Sequence, residues 1–235
     1  MSLRAVLFDA GNTLLSLEYD RLARGVGQAV GRPLTARALE LAEGRAAQVL
    51  ERRDGRDRER ASRYLETLFL EAGVPAEHLE LVRAALLQLH RERHLWSRAA
   101  PGTGPALVRL AAAGLRLGVV SNSDGRCEEA LVAAGLRTYF DVVIDSELVG
   151  VEKPDPRIFS AALAELGVAP GEALYVGDIY EVDVVGARRA GLEAILLDPL
   201  GRHAGRDVRT ARDIPQAAEL ILDGRAARPA RFSNP

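Results

Sequence analysis

The stretch Arg4-Ala-Val-Leu-Phe-Asp-Ala-Gly-Asn-Thr-Leu-Leu15 decides the fold of this chain. Its segment 5–8 is apolar throughout, which favours a strand buried on both faces of a parallel sheet. The strand ends before Asp9, and the small residues Gly11-Asn12 follow as a turn. Ligands of open α/β sheets bind beyond the carboxyl ends of the strands. Asp9 is therefore a candidate nucleophile or metal ligand, and capping of the following segment is the structural alternative.

Composition narrows the class of protein. The 235 residues, 48% of them hydrophobic, suffice for one large domain or two modest ones. A net charge of -2 gives no electrostatic reason to expect binding to nucleic acid or to an anionic membrane. A single cysteine, Cys127, leaves no partner for an intramolecular disulfide. The sequence shows neither a signal peptide nor an apolar run long enough to span a bilayer, so we expect a cytoplasmic protein.

A helical block follows the first strand. Residues 20–94 are rich in Ala, Leu, Glu and Arg and contain few β-branched residues. Apolar positions recur there at helical spacing, as in Leu65, Leu68, Phe69 and Ala72. These patterns predict four helices, over residues 20–30, 35–53, 58–72 and 76–94, with Thr35 as an N-cap and Asp54-Gly55 as a turn.

Strands and helices alternate after Pro101-Gly-Thr-Gly-Pro105. The predicted strands cover residues 115–120, 140–144, 173–176 and 194–197, and the predicted helices cover 106–113, 124–134, 155–166, 183–190 and 216–222. This alternation predicts an α/β fold with a doubly wound, Rossmann-like parallel sheet.

The position of the helical block implies an insertion. We expect a Rossmann-like core formed by residues 1–15 and 96–235, with an α-helical cap, residues 16–95, inserted after the first strand. Residues 224–235 lack periodicity, so we expect a frayed tail there.

Polar residues stand at or after the ends of several predicted strands: Asp9, Ser121-Asn122, Asp178 and, after a loop, Lys153. Strands of one parallel sheet place these ends along one edge, so the side chains should converge. Carboxylates at residues 9 and 178 suit Mg²⁺, which commonly binds through one or two carboxylates and a substrate phosphate. A hydroxyl from residue 121 and backbone amides can hold phosphate oxygens. Lys153, the single lysine of the chain, supplies positive charge.

Four segments carry a family resemblance. They resemble, in order, the four motifs of the haloacid dehalogenase superfamily, in its phosphatase-like branch with an inserted helical cap. The segments are Phe8-Asp9-Ala-Gly-Asn-Thr13-Leu, Val120-Ser121-Asn122, Glu152-Lys153-Pro154 and Gly177-Asp178-Ile-Tyr-Glu-Val-Asp183.

The resemblance implies a nucleophile and a phosphate site. Asp9 would be the nucleophile, forming an aspartyl-phosphate with a small phosphorylated metabolite. Ser121, Asn122 and Lys153 would hold the phosphate, and Lys153 would also restrain Asp9. The cap would close over the site, exclude water and select the substrate.

The resemblance also implies a metal site. Mg²⁺ would be held by Asp9, the carbonyl of Gly11 and Asp178, with Asp183 supporting these ligands. This set makes a Mg²⁺-dependent phosphatase the leading hypothesis.

The residue at position 11 departs from the family pattern. Phosphatases of this superfamily usually carry there a second Asp, which protonates the leaving group and later activates water, but this chain has Gly11. A positioned acid or base contributes roughly 10²–10⁴ in rate, so we expect slow turnover that favours good leaving groups. Glu18 or Tyr19 is a candidate replacement for the missing acid.

Two other functions stay open. The 2-haloacid dehalogenase branch also lacks the second Asp, although its fourth motif usually lacks the Gly-Asp pair found here and its first motif typically has a Tyr. A catalytically silent phosphate-binding or regulatory protein is the other alternative. The phosphonatase branch is less similar, because it uses a cap lysine and residues 16–95 contain none.

Overall fold

The computed structural model describes residues 2–49 and 57–226, and its contacts divide the chain into two units. The core unit comprises Met1–Leu15 and Ala99–Pro235, and the helical unit comprises Ser16–Arg98. The second boundary therefore lies at Ala99, not at the predicted residue 96. The reason is that residues 96–98 belong to a short strand that pairs with a strand at the start of the helical unit.

A six-stranded parallel sheet forms the centre of the core unit. The spatial order β5-β4-β1-β6-β7-β8 runs outward in both directions from the pair β1 and β6, which is the switch point of a doubly wound sheet. The predicted α/β, Rossmann-like fold is thereby confirmed. The strands are β1 (Ala5–Phe8), β4 (Arg116–Ser121), β5 (Val142–Asp145), β6 (Ala173–Gly177), β7 (Glu193–Leu197) and β8 (Arg209–Ala211).

Burial explains why these segments read as continuous apolar runs. Every residue of β1 and of β6 is buried, as expected for inner strands covered on both faces. On one face, Ile158, Phe159 and Leu163 pack against the sheet and form much of its core. Because β1 and β6 are the two central strands, the residues that follow them lie in the middle of the carboxyl edge of the sheet.

The core unit contains six α-helices among its described residues, of which the last follows β8: α5 (Thr103–Ala112), α6 (Cys127–Ala133), α7 (Ser146–Val149), α8 (Pro156–Leu166), α9 (Val185–Arg189) and α10 (Ile214–Ala226). The predicted helix 183–190 differs in form, since a π-helical turn, Tyr180–Val184, precedes α9. Asp155 caps α8 by accepting from the Arg157 amide, and Pro156 occupies its first turn as predicted.

The helical unit contains α1 (Tyr19–Ala29), α2 (Ala36–Ala46), α3 (Asp57–Glu71) and α4 (Leu79–Glu92). Thr35 is the N-cap of α2, as predicted: its hydroxyl accepts from the Ala38 amide at 3.2 Å. The helix α2 ends at Ala46, and a 3₁₀ turn, Ala47–Val49, follows. The predicted continuation of this helix to residue 53 and the predicted turn at 54–55 extend outside the described residues.

Three short strands of the structure are absent from the sequence predictions. Two of them, β2 (Leu15–Leu17) and β3 (Trp96–Ala99), pair with each other, and β8 lies at the sheet edge.

The frayed tail predicted from residue 224 is wrong at its start, because α10 continues to Ala226. Residues 227–235 lie outside the described part. Among the described residues, no helix has both the length and the apolar character needed to traverse a bilayer.

Candidate active site

The carboxyl edge of the sheet carries polar residues that the sequence singles out. Asp9 follows β1, Ser121 is the last residue of β4, and Asp178 follows β6. Because β1 lies between β4 and β6, these residues occupy neighbouring strand ends. Carboxylate oxygens of Asp9, Asp178 and Asp183 all lie within 4.8 Å of one another. The structure therefore brings the three predicted carboxylates together at one point.

Lys153 reaches the same point from the loop between α7 and α8. Its side chain is 2% exposed, and its Nζ donates to Asp9 Oδ1 at 2.6 Å and to Asp183 Oδ1 at 2.8 Å. A third bond, of 2.9 Å, runs from Nζ to the hydroxyl of Tyr175. An ammonium has three N–H donors, so every donor of Lys153 ends on a protein oxygen.

Asn122 fixes the main chain of Lys153. Its Oδ1 accepts from the Lys153 amide at 2.7 Å, and its Nδ2 donates to the Lys153 carbonyl at 3.0 Å. This pairing ties the residue that follows β4 to the loop that carries the ammonium. The observed contacts of Asn122 thus hold Lys153, while the phosphate-binding roles of Asn122 and of the buried Ser121 stay predictions.

Asp183 accepts hydrogen bonds from Lys153 and from the backbone that carries Asp178. Its Oδ1 accepts from Lys153, and its Oδ2 accepts from the backbone amides of Asp178 and Ile179 at 3.0 and 2.8 Å. Asp183 belongs to the π-helical turn before α9, and such turns are frequent at functional sites. Both of its oxygens therefore accept from protein donors that hold the neighbouring groups in place.

Gly177 makes room for Asp183. A Cβ built on Gly177 would lie 2.4 Å from Asp183 Cγ, which is far inside van der Waals contact. We expect Gly177→Ala to push Asp183 away from its donors and to lower the free energy of unfolding by about 1–3 kcal/mol. We also expect weaker Mg²⁺ binding. Chemical denaturation and calorimetric titration measure the two effects.

Gly104→Ala is the matched control for this substitution. The nearest atom to a Cβ at Gly104 is the Tyr139 hydroxyl at 3.7 Å, an ordinary contact. An equal loss of stability in the two alanine variants would show that the crowding at Asp183 is not the cause.

The cluster holds more negative than positive charge. Three carboxylates, of Asp9, Asp178 and Asp183, face the one ammonium of Lys153. Burial, opposed by Lys153, raises the pKa of Asp9 to about 6. Burial and then repulsion from Asp9 and Asp183 raise the pKa of Asp178 well above its ordinary value. Burial lowers the pKa of Lys153, but Asp183 and Asp9 more than offset this, so its pKa lies well above the ordinary value.

A divalent cation fits this donor set. Hard carboxylate oxygens are the ligands that Mg²⁺ prefers, and a charge of about two would balance the excess of carboxylates. Both oxygens of Asp183 accept from protein donors, and Asp9 and Asp178 stay the predicted carboxylate ligands. Gly11 lies in the tight turn two residues after Asp9. Thr13 supports Asp178 from the same turn, donating to its Oδ1 at 3.3 Å.

Two side chains that contact the predicted site residues are absent from the sequence predictions. Thr13 lies within the first motif, but its type does not indicate that it would contact Asp178. Tyr175 offers a better signal, because a tyrosine inside a wholly buried strand must find a partner for its hydroxyl. The pattern predicts that a partner exists, and only the fold shows that it is Lys153.

The candidate replacements for the missing acid are engaged within the helical unit. Glu18 accepts from the Ser97 hydroxyl at 3.0 Å and forms ion pairs with Arg21 and Arg93. Burial raises the pKa of Tyr19 well above its ordinary value.

Comparison with known proteins agrees with the site geometry. The model of the haloacid dehalogenase-like hydrolase family matches residues 3–191. The chain is 32% identical over 216 residues to a glyceraldehyde 3-phosphate phosphatase of Methanopyrus kandleri, with 91% of each protein covered. It is also 32% identical over 228 residues to a phosphatase of Mycobacterium tuberculosis, with 95% of this chain and 99% of that protein covered.

A solved structure supports the same assignment. The chain resembles a HAD phosphatase from Thermococcus onnurineus with a TM-score of 0.59 and 27% identity, over 93% of this chain and 98% of that one. The family model covers most of the chain, and the M. kandleri relative is matched over 91% of its own length. The chain is therefore a hydrolase and belongs to the haloacid dehalogenase-like hydrolase family.

Proposed function

We propose that this chain is a Mg²⁺-dependent phosphatase that acts on small phosphorylated metabolites through an aspartyl-phosphate on Asp9. The observation that carries this proposal is the buried Lys153 ammonium, bonded at 2.6 Å to Asp9 and grouped with the carboxylates of Asp178 and Asp183. A carboxylate held in one orientation beside a cation suits attack on a phosphoryl group.

The reaction proceeds in two displacements. The Asp9 carboxylate attacks phosphorus, the bond from phosphorus to the alcohol oxygen breaks, and the alcohol leaves with a proton from water. A second water then attacks phosphorus, releasing inorganic phosphate and restoring the carboxylate. Lys153 keeps Asp9 in its ionised, aligned form during the first displacement. Because Gly11 supplies no acid, turnover is slow and depends on the leaving group.

The proposed metal ligands are Asp9, Asp178 and the carbonyl of Gly11, with Asp183 holding the backbone of Asp178. When bound, Mg²⁺ would supply positive charge that offsets the charge of the phosphoryl oxygens. Thr13 and Asp183 keep the Asp178 segment in place through side-chain and backbone hydrogen bonds.

The relatives guide the choice of substrate. The M. kandleri relative is named for glyceraldehyde 3-phosphate, so triose phosphates are the first natural esters to assay. The experiment measures phosphate release from p-nitrophenyl phosphate and from glyceraldehyde 3-phosphate, with Mg²⁺ and after its removal by EDTA. We expect release that disappears with EDTA and returns when Mg²⁺ is restored.

Two other results would overturn the proposed function. Halide release from 2-haloacids without added metal, and no phosphate release, would identify a C–halogen hydrolase. Binding of inorganic phosphate without turnover of any ester would identify a silent phosphate-binding protein.

Gly11→Asp is expected to raise phosphatase turnover. The variant restores the acid and base that the family usually carries at this position, which contributes roughly 10²–10⁴ in rate where it is well placed. Within this turn, Asn12 has the left-handed backbone conformation, with φ 55°. An aspartate at position 11 therefore does not have to adopt a left-handed conformation. We expect a gain in kcat that is larger for alkyl than for aryl esters.

The leaving-group comparison also controls this prediction. A proton donor helps a poor leaving group more than a good one, so an equal gain on both esters would point to another cause. No gain on either ester would show that a different group already protonates the leaving alcohol.

A further inference from the structure

Tyr175 is a fully buried residue of β6 whose hydroxyl lies between two polar groups. It donates to the carbonyl of Val120 at 2.8 Å and accepts from Lys153 Nζ at 2.9 Å. Neither contact belongs to the sheet ladder. The hydroxyl therefore links the ammonium to the main chain of β4.

The direction of these two bonds is fixed by hydrogen count. A phenol has a single hydrogen, and the Val120 carbonyl at 2.8 Å is a closer acceptor than Asp183 Oδ1 at 3.3 Å. Burial raises the pKa of Tyr175 well above its ordinary value, so the hydroxyl keeps its hydrogen. Its lone pairs are then left for the third donor of Lys153.

Packing holds the ring in this position. Phe159 meets the Tyr175 ring edge-on, with ring centroids 5.0 Å apart and an interplanar angle of 79°. Phe159 is confined in turn, because a Cβ on Gly186 would lie 2.9 Å from its ring. The hydroxyl consequently has little freedom to leave Lys153.

We propose that Tyr175 is a positioning residue, which takes the third donor of Lys153 so that the ammonium stays aimed at Asp9. The proposal rests on the phosphatase function proposed above. Without the hydroxyl, one N–H of a side chain that is 2% exposed has no acceptor, and the ammonium rotates towards other oxygens. Asp9 then loses its fixed orientation towards the phosphoryl group.

Tyr175→Phe tests this role kinetically. The variant keeps the ring and its contact with Phe159 but removes the hydroxyl. We expect kcat to fall about tenfold or more, while KM changes less than about twofold, because alignment and not substrate binding is lost. Tyr139→Phe is the matched control, since the Tyr139 hydroxyl is not among the three acceptors of Lys153 Nζ, and it should leave both constants unchanged.

The single lysine provides a spectroscopic test that needs no turnover. Protein grown with lysine labelled with ¹⁵N at Nζ contains that label only at Lys153. Ammonium protons that are buried and hydrogen-bonded exchange slowly with water, so the wild-type protein should give one resolved NH₃⁺ signal near neutral pH. In Tyr175→Phe we expect this signal to broaden beyond detection, because the ammonium protons exchange faster with water.

The outcomes separate this proposal from the proposed function. The positioning role would be overturned if the ammonium protons of the wild type exchanged as fast as those of free lysine. It would also be overturned if the Tyr175→Phe spectrum were identical to the wild-type spectrum. If the variant does not fold, the wild-type spectrum still tests the proposal, because fast exchange there would overturn it. Absence of phosphatase activity in the wild type would reject the function and would leave the spectrum unaffected.

Discussion

Asp9→Asn is expected to abolish phosphatase activity without destabilising the metal-free protein. The asparagine keeps the shape of the side chain but cannot form an aspartyl-phosphate, so turnover falls by at least about 10³-fold. The amide oxygen can still accept from Lys153. One carboxylate fewer stands near Asp178, where burial and repulsion raise the pKa, so the unfolding temperature of the metal-free variant should not drop. Phosphate-release assays and calorimetry measure the two quantities.

The metal response provides a second measurement on this variant. Mg²⁺ should raise the unfolding temperature of the wild type, because the proposed metal site forms only in the folded state, and should raise that of Asp9→Asn less. Asp20→Asn is the matched control, since Asp20 is exposed in the first turn of α1. Wild-type turnover in Asp9→Asn would show that another residue is the nucleophile.

Lys153→Met is expected to be the most destabilising single substitution at the site. The methionine fills similar space, but it leaves Asp9 and Asp183 buried without their cation. Removing one partner of a buried ion pair costs about 3–5 kcal/mol of stability. Activity should disappear as well, because Asp9 loses both its orientation and its stabilising charge. Urea denaturation gives the change in stability, and phosphate release gives the change in activity.

Two control variants show whether the effect of Lys153→Met comes from losing a buried cation or from losing any positive charge. Arg24→Met removes an exposed cation from α1 and should change the free energy of unfolding by less than about 0.5 kcal/mol. Lys153→Arg keeps the charge, but a planar guanidinium cannot meet three acceptors arranged around a tetrahedral ammonium. We expect this variant to retain more stability than Lys153→Met and still to lack activity. Equal stability of Lys153→Met and the wild type would contradict the assigned ion pairs.

The centre of the fold could be predicted because its signals are local. Inner strands such as β1 and β6 must be apolar along their whole length, and their ends are marked by Asp9 and Asp178. Parallel pairing then forces those ends to one edge. The cap of α2 at Thr35 is likewise a local signal, since the hydroxyl and the amide that it accepts from lie three residues apart.

Other features could not be predicted because distant segments create them. The strands β2, β3 and β8 are three or four residues long, too short for a periodic pattern. The contact of Asn122 with the Lys153 main chain joins residues 31 positions apart, and no spacing rule indicates it. The π-helical turn before α9 forms where Asp183 must reach back to the amides that follow β6.

The burial of Lys153 has a practical consequence for handling this protein. The chain has one ε-amine, and that amine lies in the core with its side chain 2% exposed. Acylating reagents can reach it only during excursions that expose the core unit. The rate of acylation at this amine therefore reports how often the core unit opens. Acylation should slow when a cation or a phosphate ester binds the folded site, because binding makes such openings less frequent.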